Sequence, residues 1–193
     1  VGASLAGCPR RIVCVSYCWH GPTHPDPLGE QLVRFADLME REQDHRRKTG
    51  TKPFPHGEYA VFFDFCSLHQ KNGQGERTEA EDRAFRFALH RMQLLYAHAR
   101  TTVAIMATLP DGWTRQGYEA SGWPTFEFAV ASLLKVANPA AWAPIVFVAD
   151  STLQRLPPLT PLSFAEMLKT RKFTNGADQV VVAGLYAKTV RAA

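Results

Sequence analysis

Glu127 is the acidic residue whose setting in the chain most suggests chemistry. It lies in the stretch Gly122–Lys135, GWPTFEFAVASLLK, four residues after Trp123. Phe126, Ala129, Val130, Leu133 and Leu134 recur there at helical spacing and predict one buried stripe. Pro124 suits the first helical position, where a missing N–H has no partner to lose, and Asn138-Pro139 supplies a stop. Glu127 then falls in the first turn. A carboxylate and a large aromatic one turn apart at a helix N-terminus can form a small polar site beside an apolar wall. That makes Glu127 the candidate catalytic residue. The plainer alternative is a favourable interaction with the helix dipole, about 0.3–1 kcal/mol.

Two other clusters carry reactive or binding side chains. Ser16, Tyr17, Cys18 and Trp19 stand at the end of the β-branched run that begins at Arg11. Asp64 sits in the otherwise apolar run YAVFFDF and reads as a buried acceptor that holds the loop after it. Cys18, His20, Cys66 and His69 are of zinc-ligand type. Their C-x-H and C-x-x-H spacings span loops, however, and a chance grouping of thiols is the preferred reading. No metal is expected.

Composition narrows the class. The chain has 193 residues, 46% hydrophobic and 21% charged, enough to bury the core of one domain. The net charge of +4 is a mild bias with scattered cations, and the dense run His45–Lys48 reads as a solvated helix end rather than a nucleic-acid patch. No nucleic-acid or membrane partner is expected, because no apolar run approaches the ~18–20 residues of a membrane helix. The four cysteines are too few for a disulfide scaffold. No signal-peptide pattern opens the chain, so reduced thiols in a cytoplasmic setting are expected. The chain begins at Val1 rather than Met, as a piece of a longer protein would.

The elements that must position these residues alternate in type. Arg11–Cys18 predicts a first strand and Leu28–Arg41 an amphipathic helix. Tyr59–Phe65 predicts a second strand, followed by a long polar loop, Cys66–Asp82. A helix over Ala84–Ala99 leads into a third strand, Thr101–Met106. After the loop Ala107–Ser121 comes the helix that carries Glu127. Pro144–Ala149 predicts a fourth strand, Ser163–Thr170 a short helix capped by Ser163, Lys172–Asn175 a short edge strand, and Gln179–Val190 the closing helix. Alternation throughout predicts an α/β domain over 1–193, core about 11–190. Its expected form is a flavodoxin-like, doubly wound, five-stranded parallel sheet with helices on both faces. Ligands of such folds bind at the carboxyl ends of the strands, near the switch in strand order. Ser16–His20, Asp64–Gln70, Ala107–Asp111 and the entry to the Glu127 helix all fall there.

Three stretches together resemble TIR domains and their fungal relatives, the HET domains. VSYCW (Val15–Trp19) is similar to the strand-end Ser-Tyr motif of both groups. FFDFCSLHQ (Phe62–Gln70) resembles the HET pattern of aromatic, Asp, Cys and terminal Gln. SGWPTFEFAVASL is similar to the aromatic-then-Glu helix start of TIR enzymes. MQLLYAHAR followed by TTVAIM also resembles a HET helix-to-strand passage. The resemblance runs from about Arg11 to Ala149. It implies a module that self-associates, and in many members one that hydrolyses NAD at the bond joining nicotinamide to ribose. Others cyclise, exchange the base, or act only as adaptors. Glu127 matches the catalytic Glu, Ser16, Tyr17 and Trp19 the first-strand loop, and Trp123 the aromatic before the Glu. Pro124 and Thr125 depart from the residues more usual there.

The chemistry suits a single carboxylate. Breaking the N-glycosidic bond builds positive charge on the ribose, which a nearby Glu stabilises. Nicotinamide leaves as a neutral base, so no general acid is required. On this reading NAD is the substrate and no cofactor is needed. Trp19, Trp123 and Tyr118 are candidates to stack on its bases, and Ser16 or Tyr17 to bond ribose or phosphate. The alternatives are a non-catalytic self-associating module, with Cys66–Asp82 and Ala107–Ser121 as contact surfaces, and a deoxyribosyltransferase-like enzyme. A response-regulator phosphoacceptor at Asp64 lacks its acidic pair, since SYCWH holds none. Neither G-x-G-x-x-G after a strand nor G-x-S-x-G is present.

Overall fold

The β-branched run RIVCVSY becomes the central strand, β1 (Arg11–Tyr17). The computed structural model describes residues 11–50, 59–99, 101–113, 117–135, 145–147 and 153–192. β1 pairs in parallel with β2 (Tyr59–Phe62) on one side and β3 (Thr101–Met106) on the other, and β4 (Ile145–Phe147) extends the sheet beyond β3. The strand order is β2-β1-β3-β4. The chain thus reverses direction across the sheet between β1 and β3, whose last pairs are Ser16 with Ile105 and Tyr17 with Met106. In open parallel sheets that is where a crevice forms.

Helices cover both faces, which is why β1 and β3 are largely apolar on both sides, in Ile12–Val15 and Val103–Met106. Val13, Val15 and Tyr17 pack with Phe35, Leu38 and Met39 of α1 (Glu30–Lys48). Cys14, Val103 and Ile105 point the other way, into a larger core. That core holds Tyr96 of α4 (Gln93–Ala97), Phe126 and Val130 of α5 (Gly122–Leu134), Phe164 of α6 (Pro161–Leu168) and Tyr186 of α7 (Asp178–Ala192). Phe164 and Tyr186 stack with ring centroids 3.9 Å apart. Fully burying one such aromatic contributes about 1.5–3 kcal/mol, so this face holds α5 firmly in place. Arg155 donates to the carbonyl oxygens of Ser132 and Lys135 at the end of α5, completing bonds that a helix C-terminus leaves unmade.

Several elements differ from the sequence expectation, each for a local reason. Lys172–Asn175 does not add a fifth strand. It makes one isolated bridge, Lys172 to Ser121, away from the sheet. β2 ends at Phe62 because Asp64 starts a short helical turn, α2 (Asp64–Ser67). The helix expected from Ala84 begins earlier as α3 (Glu79–Leu89), set by a capping box between Thr78 and Glu81, and it breaks before α4. α1 runs on to Lys48, so the basic run forms its last turn. α6 is capped by Thr160, whose hydroxyl accepts from the Ser163 N–H, rather than by Ser163 itself. α5 begins at Gly122, which moves Pro124 to the third helical position and Glu127 into the second turn. The expected stop at Asn138-Pro139 lies outside the described residues. Among the described residues no helix is long and apolar enough to cross a membrane.

Candidate functional site

A cleft of about 1150 Å³ opens at the carboxyl ends of β1 and β2, against the first turns of α5. Its walls include Tyr17, Cys18 and Trp19 after β1, Asp64 and the loop that follows it, Trp123, Pro124 and Glu127 of α5, and Lys172 to Asn175 together with Asp178. The loops gathered here come from segments far apart in sequence, but Ala107–Asp111, expected at the same place, does not line the cleft, which lies on the β2 side of β1.

Glu127 is 5% exposed. The Ser16 hydroxyl donates to its Oε2 at 2.5 Å, and the hydroxyls of Ser16 and Tyr118 lie 2.5 Å apart. The Tyr96 hydroxyl donates to the Val15 carbonyl oxygen at 3.2 Å. Burial drives the Glu127 carboxyl well above the ordinary Glu range, and the negative field of Asp64 adds to it. The bonds from Ser16 and Tyr96 pull the other way. In the second turn, Glu127 gains little from the helix dipole, which acts within the first turn. The dipole therefore gives no sufficient reason for a carboxyl at this place.

Asp64 organises the opposite side. Its Oδ1 accepts from the Tyr17 hydroxyl at 2.8 Å and from the Phe65 N–H at 2.7 Å, and its Oδ2 from the Trp19 indole N–H at 2.9 Å. It ties the loop after β1 to the loop after β2. Burial raises its pKa, and those three bonds counter the rise. Gln70 closes the same loop, donating to the carbonyl oxygens of Phe65 and Leu68 at 3.0 Å each.

The structure brings Tyr17, Cys18, Trp19, Asp64, Trp123 and Glu127 to one cleft. Ser16 stands apart from its wall: it is fully buried behind Glu127 and spent on Glu127 and Tyr118. Tyr118 is buried too and borders a separate, smaller hollow of about 340 Å³. Ser16 bonds the carboxylate directly, and Tyr118 reaches it through Ser16. Trp123 donates its indole N–H to Asp178 Oδ2 at 2.9 Å, which fixes its ring on the cleft wall. Cys18 lies 3.4 Å from the Ser121 hydroxyl. Among the described residues no group of three or more His, Cys, Asp or Glu side chains is placed to hold a metal. Among the described residues Cys14, Cys18 and Cys66 form no disulfide.

Sequence reasoning missed Lys172, Phe173 and Asp178. Their only trace was a cation and an aromatic between two helices, and that pattern reads equally well as an edge strand. It also missed Tyr96 as a neighbour of Glu127, because Tyr96 occupies an ordinary apolar position of its helix.

No family model, curated protein or solved structure matches this chain.

Proposed function

We propose that the protein is a glycohydrolase that cleaves the nicotinamide–ribose bond of NAD, with Glu127 as the catalytic carboxylate. The observation that carries this reading is the buried Glu127 on the wall of a nucleotide-sized cleft, held by a hydroxyl from the neighbouring strand end. The resemblance of VSYCW, FFDFCSLHQ and SGWPTFEFAVASL to TIR and HET domains supports it. So does the β2-β1-β3-β4 order, which matches the first four strands of a flavodoxin-like sheet.

In the reaction the C1′–N bond breaks and its electron pair passes to the pyridinium ring, which leaves as neutral nicotinamide. The ribose carries positive charge, which the Glu127 carboxylate stabilises at close range. Water adds to C1′ and its proton passes to the carboxylate, then to solvent. Glu127 must be ionised to do this, yet burial favours its neutral form. The cationic ring of NAD resolves the conflict, because a positive charge nearby favours the ionised carboxyl. Binding of NAD therefore releases a proton from Glu127.

The test is nicotinamide release from NAD by the wild-type protein and Glu127→Ala. Release by the wild type and loss in the variant support the assignment; equal release by both sinks it. A second reading, a non-catalytic assembling module, is favoured by one feature: Leu28, Leu32 and Val33, at and before the start of α1, are 81, 58 and 61% exposed. Concentration-dependent light scattering without NAD turnover is its signature.

A further inference from the structure

Between α6 and α7 the chain crosses the N-terminus of α5 as a short strap. Lys172 N–H donates to the Ala120 carbonyl oxygen at 2.8 Å, and the Gly122 N–H donates back to the Lys172 carbonyl oxygen at 2.9 Å. The next residue, Phe173, lies over Gly122. A Cβ built there would fall within 2.5 Å of the Phe173 ring atoms Cζ, Cε1 and Cε2. Absence of a side chain at 122 is what lets the ring seat so close to the helix backbone. Asn175 then donates to Asp178 Oδ1 at 3.1 Å, and Asp178 also accepts from Trp123. The strap is thus fixed to α5 and α7 at three places, and Phe173 and Lys172 line the same cleft as Glu127.

The strap stands well away from the carboxylate. Gly122 precedes Glu127 by five residues of α5, which at ~1.5 Å per residue is about 7.5 Å along the helix axis. That offset takes a ligand past its ribose and on to its phosphates. Of the first four residues of α5, two have N–H groups spent within the protein and one has none. The Gly122 N–H is spent on Lys172, the Thr125 N–H on the Ser121 carbonyl, and Pro124 has none. The exposed Lys172 ammonium supplies a positive charge there.

We infer that the strap is the recognition site for the adenylate half of the ligand, with Phe173 as the stacking surface for the base and Lys172 as the phosphate contact. Which end of the ligand faces Glu127 rests on the glycohydrolase reading; the affinity of the strap for an aromatic base joined to phosphate does not. Aromatic rings stack on any base face, and an ammonium pairs with phosphate as a point charge. Both Asp178 oxygens accept from neighbours, one from Trp123 and one from Asn175.

The experiment is calorimetric titration with ADP, which lacks the nicotinamide half, and with nicotinamide riboside, which lacks phosphate and adenine. Wild type should bind ADP. Phe173→Ala and Lys172→Ala should each weaken ADP about tenfold and leave nicotinamide riboside unchanged. Phe173→Tyr and Lys172→Arg should keep ADP binding, showing that the strap still folds. ADP binding unaltered in the alanine variants, or a wild type that releases nicotinamide yet does not bind ADP, would overturn the assignment. ADP binding that depends on the strap, without nicotinamide release from any variant, would leave the strap assignment standing and remove the glycohydrolase.

Discussion

Gly122→Ala tests whether the Phe173 contact shapes the cleft. The backbone at 122 lies outside the left-handed region, so alanine brings no conformational strain of its own. The whole effect must come from space. The new methyl would stand within 2.5 Å of three ring atoms, where carbon atoms settle at about 3.5–4.0 Å, so the ring must retreat by about 1 Å or more. Phe173 is half-buried and borders the cleft, so the ring has room to move on that side. Stability should therefore fall by only about 1–2 kcal/mol, the lower part of the range for overpacking, or a melting temperature lower by roughly 2–8 °C for a domain of this size. Ligand affinity should fall by a comparable amount, about tenfold or ~1.4 kcal/mol, because the displaced ring narrows the cleft and strains the bridge to Lys172. Thermal unfolding and NAD titration read both quantities. The double variant Gly122→Ala with Phe173→Ala supplies the control: the two changes should be non-additive, since removing the ring removes the clash. Wild-type melting and affinity in Gly122→Ala, or strict additivity in the double variant, would refute the reasoning.

Other variants probe the carboxyl network and the core. Ser16→Ala removes the bond that holds the Glu127 pKa down, so the acidic limb of kcat/KM for NAD should move to higher pH; an unmoved limb counts against Ser16 as the partner of the catalytic group. Asp64→Asn cannot accept from Tyr17, Trp19 and the Phe65 N–H with the same two oxygens. It should lose about 1–3 kcal/mol in denaturant unfolding and change the Trp fluorescence. Lys135 is 1% exposed and donates to the carbonyl oxygens of His98 and Thr101 and to the Thr101 hydroxyl. Burial lowers its pKa from 10.5 to about 8. Between those values the unfolded chain holds a proton that the folded one has lost, so this residue makes stability rise with pH, by on the order of 3 kcal/mol across the window. Lys135→Met should remove that rise in unfolding curves taken from about pH 8 to pH 10.5, and an unchanged slope would contradict it.

The sequence makes the frame legible where periodicity is strong and uninterrupted. β1 and β3 hold the apolar, β-branched runs Ile12–Val15 and Val103–Met106, and β3 was expected at its observed bounds. α5 was legible from the helical spacing of Phe126, Ala129, Val130, Leu133 and Leu134, but it is buried nearly all round from Pro124 to Ser132 rather than along one stripe, and Leu133 and Leu134 are only partly buried. Boundaries set by hydrogen bonds were harder. The capping box at Thr78 and the helical turn at Asp64 depend on side-chain geometry that an apolar pattern does not register. Glu127, Trp19, Asp64 and Trp123 share one cleft because they stand where strand ends and a helix start must meet. The partners of Glu127 were split by depth. Ser16 and Tyr118 looked like pocket residues, but the sheet register turns Ser16 into the core, where it serves the carboxylate. The strap was invisible for a different reason: its place depends on one glycine more than fifty residues away, and no local spacing encodes that contact.

The most direct test of the central claim is the rate of nicotinamide release from NAD across pH, at high protein concentration with a molecular crowder, for wild type and Glu127→Gln. The variant keeps the shape of the side chain and its place near Ser16 but cannot ionise. Wild-type kcat/KM should rise with pH to a plateau, through an apparent pKa above the ordinary Glu range. Glu127→Gln should lose about 10²-fold or more and show no such limb. Equal rates and the same pH profile in both proteins would contradict Glu127 as the catalytic carboxylate.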